Sequence, residues 1–127
     1  MGFYRDRNRE SVSRHLIDLE GRFYPEGAGA ITNASNEGQG FTVTRTGTGA
    51  YTLALDEEFL SLVSFEVDMQ LAAAGDMMAE LGDIDLANKA IYLRVVKKSD
   101  GTAVEAGALD ANQSISFKFA LKQTAAI

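Results

Sequence analysis

The sequence predicts an all-β fold, a β-sandwich or jelly-roll-like domain with short hairpins and an extended N-terminal arm, and three observations predict it. Apolar and polar residues alternate with period two in residues 63–71, 90–96 and 115–122, the spacing of strands that bury one face. Clusters of Gly, Asn, Asp and Ser separate these runs at short intervals. No stretch of ordinary helical length carries an apolar stripe at period 3.6.

The chain begins with a charged segment. Residues 1–14 hold Arg5, Arg7, Arg9 and Arg14 against Asp6 and Glu10, a net charge of +2, whereas the whole chain carries -6 and the remainder therefore -8. A basic N-terminal arm of residues 1–14 followed by one β-sandwich domain of residues 15–127 is the expected organisation. An acidic body repels a phosphate backbone, so no direct nucleic-acid contact is expected of it, while the short arm either contacts acid on a neighbouring protein or on nucleic acid or is a solvated terminus. The absence of cysteine excludes disulfides and thiolate metal sites. Neither a secretory leader nor an apolar run long enough for a membrane span is present, which predicts a soluble chain made in a cytoplasm, with no membrane partner.

Leu16 to Tyr24 fits two periods: Val12, Leu16 and Leu19 share a helical face, and Ile17 and Leu19 share a strand face that runs on to Phe23. The strand reading is taken, closed by Pro25. Residues 27–32 predict a short strand, and residues 33–40 end it with turn chemistry. In residues 41–55 two alternating runs, Phe41-Thr42-Val43-Thr44 and Tyr51-Thr52-Leu53-Ala54-Leu55, flank Gly47 and Gly49. A dinucleotide-binding loop would need a third glycine where Thr52 stands and a helix after it. The glycines are instead read as a hairpin that requires positive φ, with the threonines on the outer face. Residues 77–81 predict a strand leading through Gly82 and Asp83, residues 90–96 another that ends at Asp100-Gly101, and residues 115–122 a last one with Lys118 and Lys122 outward.

Few residues suggest chemistry. His15 is the only histidine and no Gly-x-Ser-x-Gly elbow exists, so a Ser-His-Asp triad is not expected. Asp83, Asp85 and Asn88 miss the calcium-loop pattern at Ala87 and read as a polar turn. Asp56, Glu57 and Glu58 read as a solvated corner or the start of a helical turn rather than an acid–base pair. The sequons at Asn33 and Asn112 carry no weight without a leader. Met69, Met77 and Met78 are expected to fill core gaps or line a subunit contact. No catalytic residue, metal ligand or cofactor is expected.

The phrases Ala30-Ile31-Thr32, residues 40–53, Leu60-Ser61-Leu62 with its alternating strand, residues 85–94 and residues 111–117 resemble small tailed-bacteriophage structural proteins, and the likeness spans residues 16–123. That resemblance implies a virion component: a β-sandwich module, commonly a homotrimer, of the capsid decoration or cement kind, sometimes part of a fibre. It implies the major capsid protein as partner and the capsid surface as location, after assembly in the host cytoplasm. The arm residues Phe3, Tyr4, Arg5, Arg7 and Arg9 are the candidate partner-binding residues, the aromatics as anchors and the guanidinium groups as carboxylate partners. The alternative is a tail or head fibre module that binds a host receptor or glycan. Tyr24 and Tyr51 would then be the candidate aromatics, in a chain without tryptophan.

Overall fold

The structure, a computed structural model, describes residues 16–71, 76–105 and 113–123. Its strands are β1 Leu16–Phe23, β2 Glu37–Gly38, β3 Phe41–Gly47, β4 Ala50–Leu55, β5 Ser61–Gln70, β6 Met78–Asp85, β7 Ala90–Val96 and β8 Ser114–Lys122. Two 3₁₀ turns, Asn33–Ser35 and Leu86–Asn88, are the only helical elements among the described residues. The strands form two antiparallel four-stranded sheets, in the orders β2-β1-β8-β5 and β3-β4-β7-β6. The all-β reading holds, and the architecture is a sandwich.

Period-two patterning explains the layers. On β8 the odd residues Ile115, Phe117, Phe119 and Leu121 are buried, while Lys118 between them is exposed. Opposite them, β3, β4 and β7 contribute Phe41, Val43, Tyr51, Leu53, Leu55, Ile91, Leu93 and Val95 to the same core. Phe117 is central to it: its ring meets Phe41 edge-on at 4.9 Å and stacks on Phe119 at 5.1 Å. Each buried Phe or Leu contributes about 1.5–3 kcal/mol over its exposed state, so alternation alone holds the layers together. Thr42, Thr44 and Thr46 lie on the solvent side of β3, as their pattern predicts.

Three expectations are corrected. Residues 27–32 form no strand: the Glu26 backbone carbonyl closes a turn by accepting from Gly29 N at 2.9 Å, and its carboxylate accepts from Thr32 N and Thr32 Oγ1, each at 2.7 Å. One side chain thus satisfies the backbone donor that a strand partner would otherwise take. The hairpin glycines also differ from one another. Gly49 has φ 62°, but Gly47 has no positive φ and lies where the β3–β4 register shifts between Arg45 and Gly47. The alternating strand at 63–71 becomes β5, yet its burial is uneven, with Val63 56% and Phe65 52% exposed. Val63 is the extra residue of a bulge between Leu62 and Ser64, and β5 stands at the rim of its sheet with a neighbour on one side only.

Gly49 is fixed by space as well as by φ. A Cβ there would stand 2.5 Å from the Val104 carbonyl oxygen and 2.6 Å from that of Val95, both rigid backbone atoms, whereas nothing lies within 4 Å of a Cβ at Gly47. Replacing Gly49 with Ala is therefore expected to lower stability by at least about 2 kcal/mol, from left-handed strain and overpacking together. Gly47→Ala is expected to stay within about 0.5 kcal/mol of wild type. Urea midpoints of the two variants check the contrast.

Candidate functional site

The most concentrated polar cluster gathers at the tip of the β3–β4 hairpin. Arg45 pairs with Tyr51 in the register, on the face that continues the core. Its Nη2 donates to Glu105 Oε1 at 2.9 Å, and the Gly49 N–H donates to the same oxygen, also at 2.9 Å. The segment carrying Glu105 is held by Val104 N, which donates to Val95 O, while Val95 N donates to Gly49 O. The Tyr51 hydroxyl, Arg45 Nε and Glu105 Oε2 are buried with no protein partner. The Arg45 hydrogen bond, helped by that from Gly49 N–H, holds the Glu105 carboxyl below its ordinary 4.5 against the opposing effect of burial. Burial first, then the Glu105 charge, pushes the Tyr51 phenol up to about 12, with Arg45 opposing.

This arrangement does not make an acid–base site. An ionised carboxylate locked to a guanidinium and a phenol that stays protonated offer no group poised to exchange a proton near neutrality. The cluster is a clasp that ties residues 101–105 to the hairpin. It also withdraws Tyr51 from the glycan-binding reading, since that residue is 1% exposed and packs against Phe23 at 5.3 Å. Tyr24 is half-buried, and its hydroxyl donates to Glu37 Oε2 at 2.7 Å.

The other candidates from the sequence resolve locally. Asp85 accepts from Asn88 N at 3.4 Å and from Asn88 Nδ2 at 2.7 Å, closing the turn that Leu86–Asn88 makes, so the polar turn is what forms. No group of three or more His, Cys, Asp or Glu side chains converges on a metal position among the described residues. Asp56, Glu57 and Glu58 are exposed, and Gln123 Nε2 donates to Glu57 at 3.3 Å. Met69 and Met77 pack against the core, whereas Met78 is 40% exposed. Phe3, Tyr4, Arg5, Arg7, Arg9 and His15, and the sequon asparagine Asn112, lie outside the described residues. Among those described, no helix is long and apolar enough to cross a membrane.

One surface stands apart, and sequence reasoning missed it. Seven large apolar residues are exposed among the described ones, and five of them are on β5 or β6 or one residue ahead of β5: Leu60, Val63, Phe65, Met78 and Ile84. β5 and β6 are the adjacent rims of the two sheets and touch each other. Phe65 lies opposite Phe119, and Ile84 opposite Ile91, in their sheets. Both partners are fully buried, so both exposed residues are core-side residues left uncovered where the rims end. Exposed apolar residues gathered on adjoining rims mark an interaction site more often than a catalytic one, although Met78, opposite Val96, lies on the outer face of its sheet and not on the core side with Phe65 and Ile84. The described residues offer a sandwich with a polar clasp and exposed apolar residues at two adjoining rims. No protein family, curated protein or solved structure matches the chain.

Two outcomes follow from the clasp. Glu105 titrates lower in the folded than in the unfolded chain, so its stabilising contribution is present above the ordinary 4.5 and is lost as pH falls through the lowered folded value. The gap in thermal midpoint between wild type and Glu105→Gln should therefore be widest at neutral pH and narrow at about pH 3. An alkaline absorbance titration should show a phenol step at about 12, and Tyr51→Phe should remove that step.

Proposed function

We propose that this chain is a non-enzymatic virion structural protein of the capsid decoration or cement kind, which works by adhering to neighbouring protein surfaces. The single observation that carries the adhesive reading is the exposed apolar side chains Leu60, Val63, Phe65 and Ile84 at the adjoining β5 and β6 rims of a sandwich whose core is otherwise buried. The resemblance of residues 16–123 to tailed-phage structural proteins supplies the setting: a homotrimer on the capsid surface, with the major capsid protein as partner. In this reading the arm, through Phe3, Tyr4, Arg5, Arg7 and Arg9, reaches a neighbouring subunit, where guanidinium groups pair with carboxylates. Each copy contributes a modest contact, and many copies at fixed spacing resist the pressure of packaged DNA together, because each bound contact raises the effective concentration of the next.

The fibre or receptor-binding alternative has less support. Its two aromatic candidates are occupied, Tyr51 inside the core and Tyr24 by Glu37.

Purified heads of the phage that encodes the chain test the reading. Full-length protein should co-sediment with heads at a fixed stoichiometry, and protein lacking residues 1–14 should be lost from the pellet. Binding that survives the deletion removes the arm from the mechanism, and no binding by either form removes the decoration reading. Sedimentation of the free protein as a monomer at high concentration removes the trimer.

A further inference from the structure

The clasp at the β3–β4 hairpin holds three polar atoms that its own bonds do not use. Arg45 Nε, Glu105 Oε2 and the Tyr51 hydroxyl are closed to solvent and have no hydrogen-bond partner among the described residues. Tyr51 itself is fully buried. Buried polar groups find partners in nearly all folded proteins, and two donors and a carboxylate oxygen left unmet in one cluster would offset a large part of a domain's stability.

The contacts that fix these groups keep them from satisfying one another. A guanidinium and a carboxylate commonly join by two parallel bonds, one to each oxygen. Here Arg45 Nη2 donates to Glu105 Oε1 at 2.9 Å, and the Gly49 N–H donates to that same oxygen at 2.9 Å. Rotating the carboxylate to bring Oε2 onto Arg45 Nε would pull Oε1 away from Gly49. Gly49 cannot follow easily, because Val95 N donates to its carbonyl at 2.7 Å and Val104 N, one residue before Glu105, donates to Val95 O at 3.1 Å. The Tyr51 ring is held as well, by its contact with Phe23 at 5.3 Å.

The three residues nevertheless lie together. Arg45 and Tyr51 are direct partners in the β3–β4 register, so their Cβ atoms stand about 5 Å apart on one face. The Glu105 and Arg45 charges both act on the Tyr51 phenol, which puts its hydroxyl at the charged end of the core. The guanidinium and the carboxylate cancel in charge, so the cluster offers no net attraction to repay the desolvation of an ion. What the three atoms lack is a small neutral molecule that accepts twice and donates once. Water does this, and three hydrogen bonds to otherwise unmet groups is the usual number for a buried water.

We propose that one ordered water completes the clasp, accepting from Arg45 Nε and from the Tyr51 hydroxyl and donating to Glu105 Oε2. The bridge joins Tyr51, a core residue, to the Arg45–Glu105 pair, which no direct bond does among the described residues. Residues 101–105 are thereby tied to the core as well as to the hairpin tip. Such a bridge is nearly as favourable in enthalpy as a direct hydrogen bond. It does not depend on the decoration reading, because it concerns the chain alone.

A crystal structure of the full chain at a resolution that shows ordered water should place a single solvent peak within about 3.2 Å of all three atoms. A direct bond from Arg45 Nε to Glu105 Oε2, a protein atom in the bridging position or no peak there overturns the proposal. In solution, oxygen-17 magnetic relaxation dispersion reads the residence time of buried water. Tyr51→Phe removes only the hydroxyl and should shorten one such residence time about tenfold, the equivalent of one lost hydrogen bond. Arg94→Gln, at an exposed ion pair, should match wild type. Coinciding dispersion profiles of wild type and Tyr51→Phe would mean that the hydroxyl holds no water, and the proposal fails. The crystal measurement needs no substitution, so it decides the matter even where a variant does not fold. Neither result bears on head co-sedimentation, so the two ideas fail separately.

Discussion

A strand at the rim of a sheet carries backbone N–H and C=O groups with no neighbour, and this molecule is organised around four such rims. Closing the two sheets on one another buries their faces but cannot satisfy their edges. The solutions differ in kind. β2 has two residues and pairs only with Gly21 and Arg22 of β1, Asn33 meets the β3 edge at Val43 with its side-chain amide, and β6 interrupts its own register. β5 is the longest strand and pairs with β8 without interruption from Ser64 to Gln70, and most of the exposed large apolar residues described lie on it, just ahead of it or on the adjoining β6.

The interior explains why the rims can differ without loosening the whole. β8 lies inside its sheet between β1 and β5, and its four buried apolar side chains belong to the core that both sheets share. Phe117 contacts Phe41 across the sandwich and Phe119 along its own strand, so one ring couples the sheets. At the hairpin end, the Arg45–Glu105 pair does by hydrogen bonding what apolar packing does elsewhere, because the register that buries Tyr51 places Arg45 on the same face. A partly buried ion pair of this sort is retained for placement more than for net stability, since desolvation offsets much of its attraction. Its effect is to fix residues 101–105 beneath Gly49.

The adhesive reading proposed above asks little of the interior. In that reading a preformed rim would lose little entropy on binding, and a patch of modest area would become effective when many copies act at once. The exposed ion pairs Arg22–Glu37, Arg94–Glu80 and Lys118–Glu20 contribute at most about 1 kcal/mol each and serve solubility more than cohesion.

Alternation along residues 41–44, 51–55, 90–96 and 115–122 determined the strands, their inward faces and the all-β class, because period two is a local property that one sheet face enforces wherever it is buried. The hairpin around Gly49 was legible for a similar reason. Three things were not legible. The turn at residues 27–32 depends on the Glu26 carboxylate reaching Thr32, a contact that a strand-like pattern conceals. Tyr51 looked available as an exposed aromatic, yet its burial follows from pairing with Arg45 and packing on Phe23 from another sheet. Val63 and Phe65 read as half-buried like their neighbours, and only the position of β5 at the rim decided that they stay exposed. Which face of a strand is apolar is written along the chain; whether another layer covers that face is decided by strand order, which joins residues far apart in sequence.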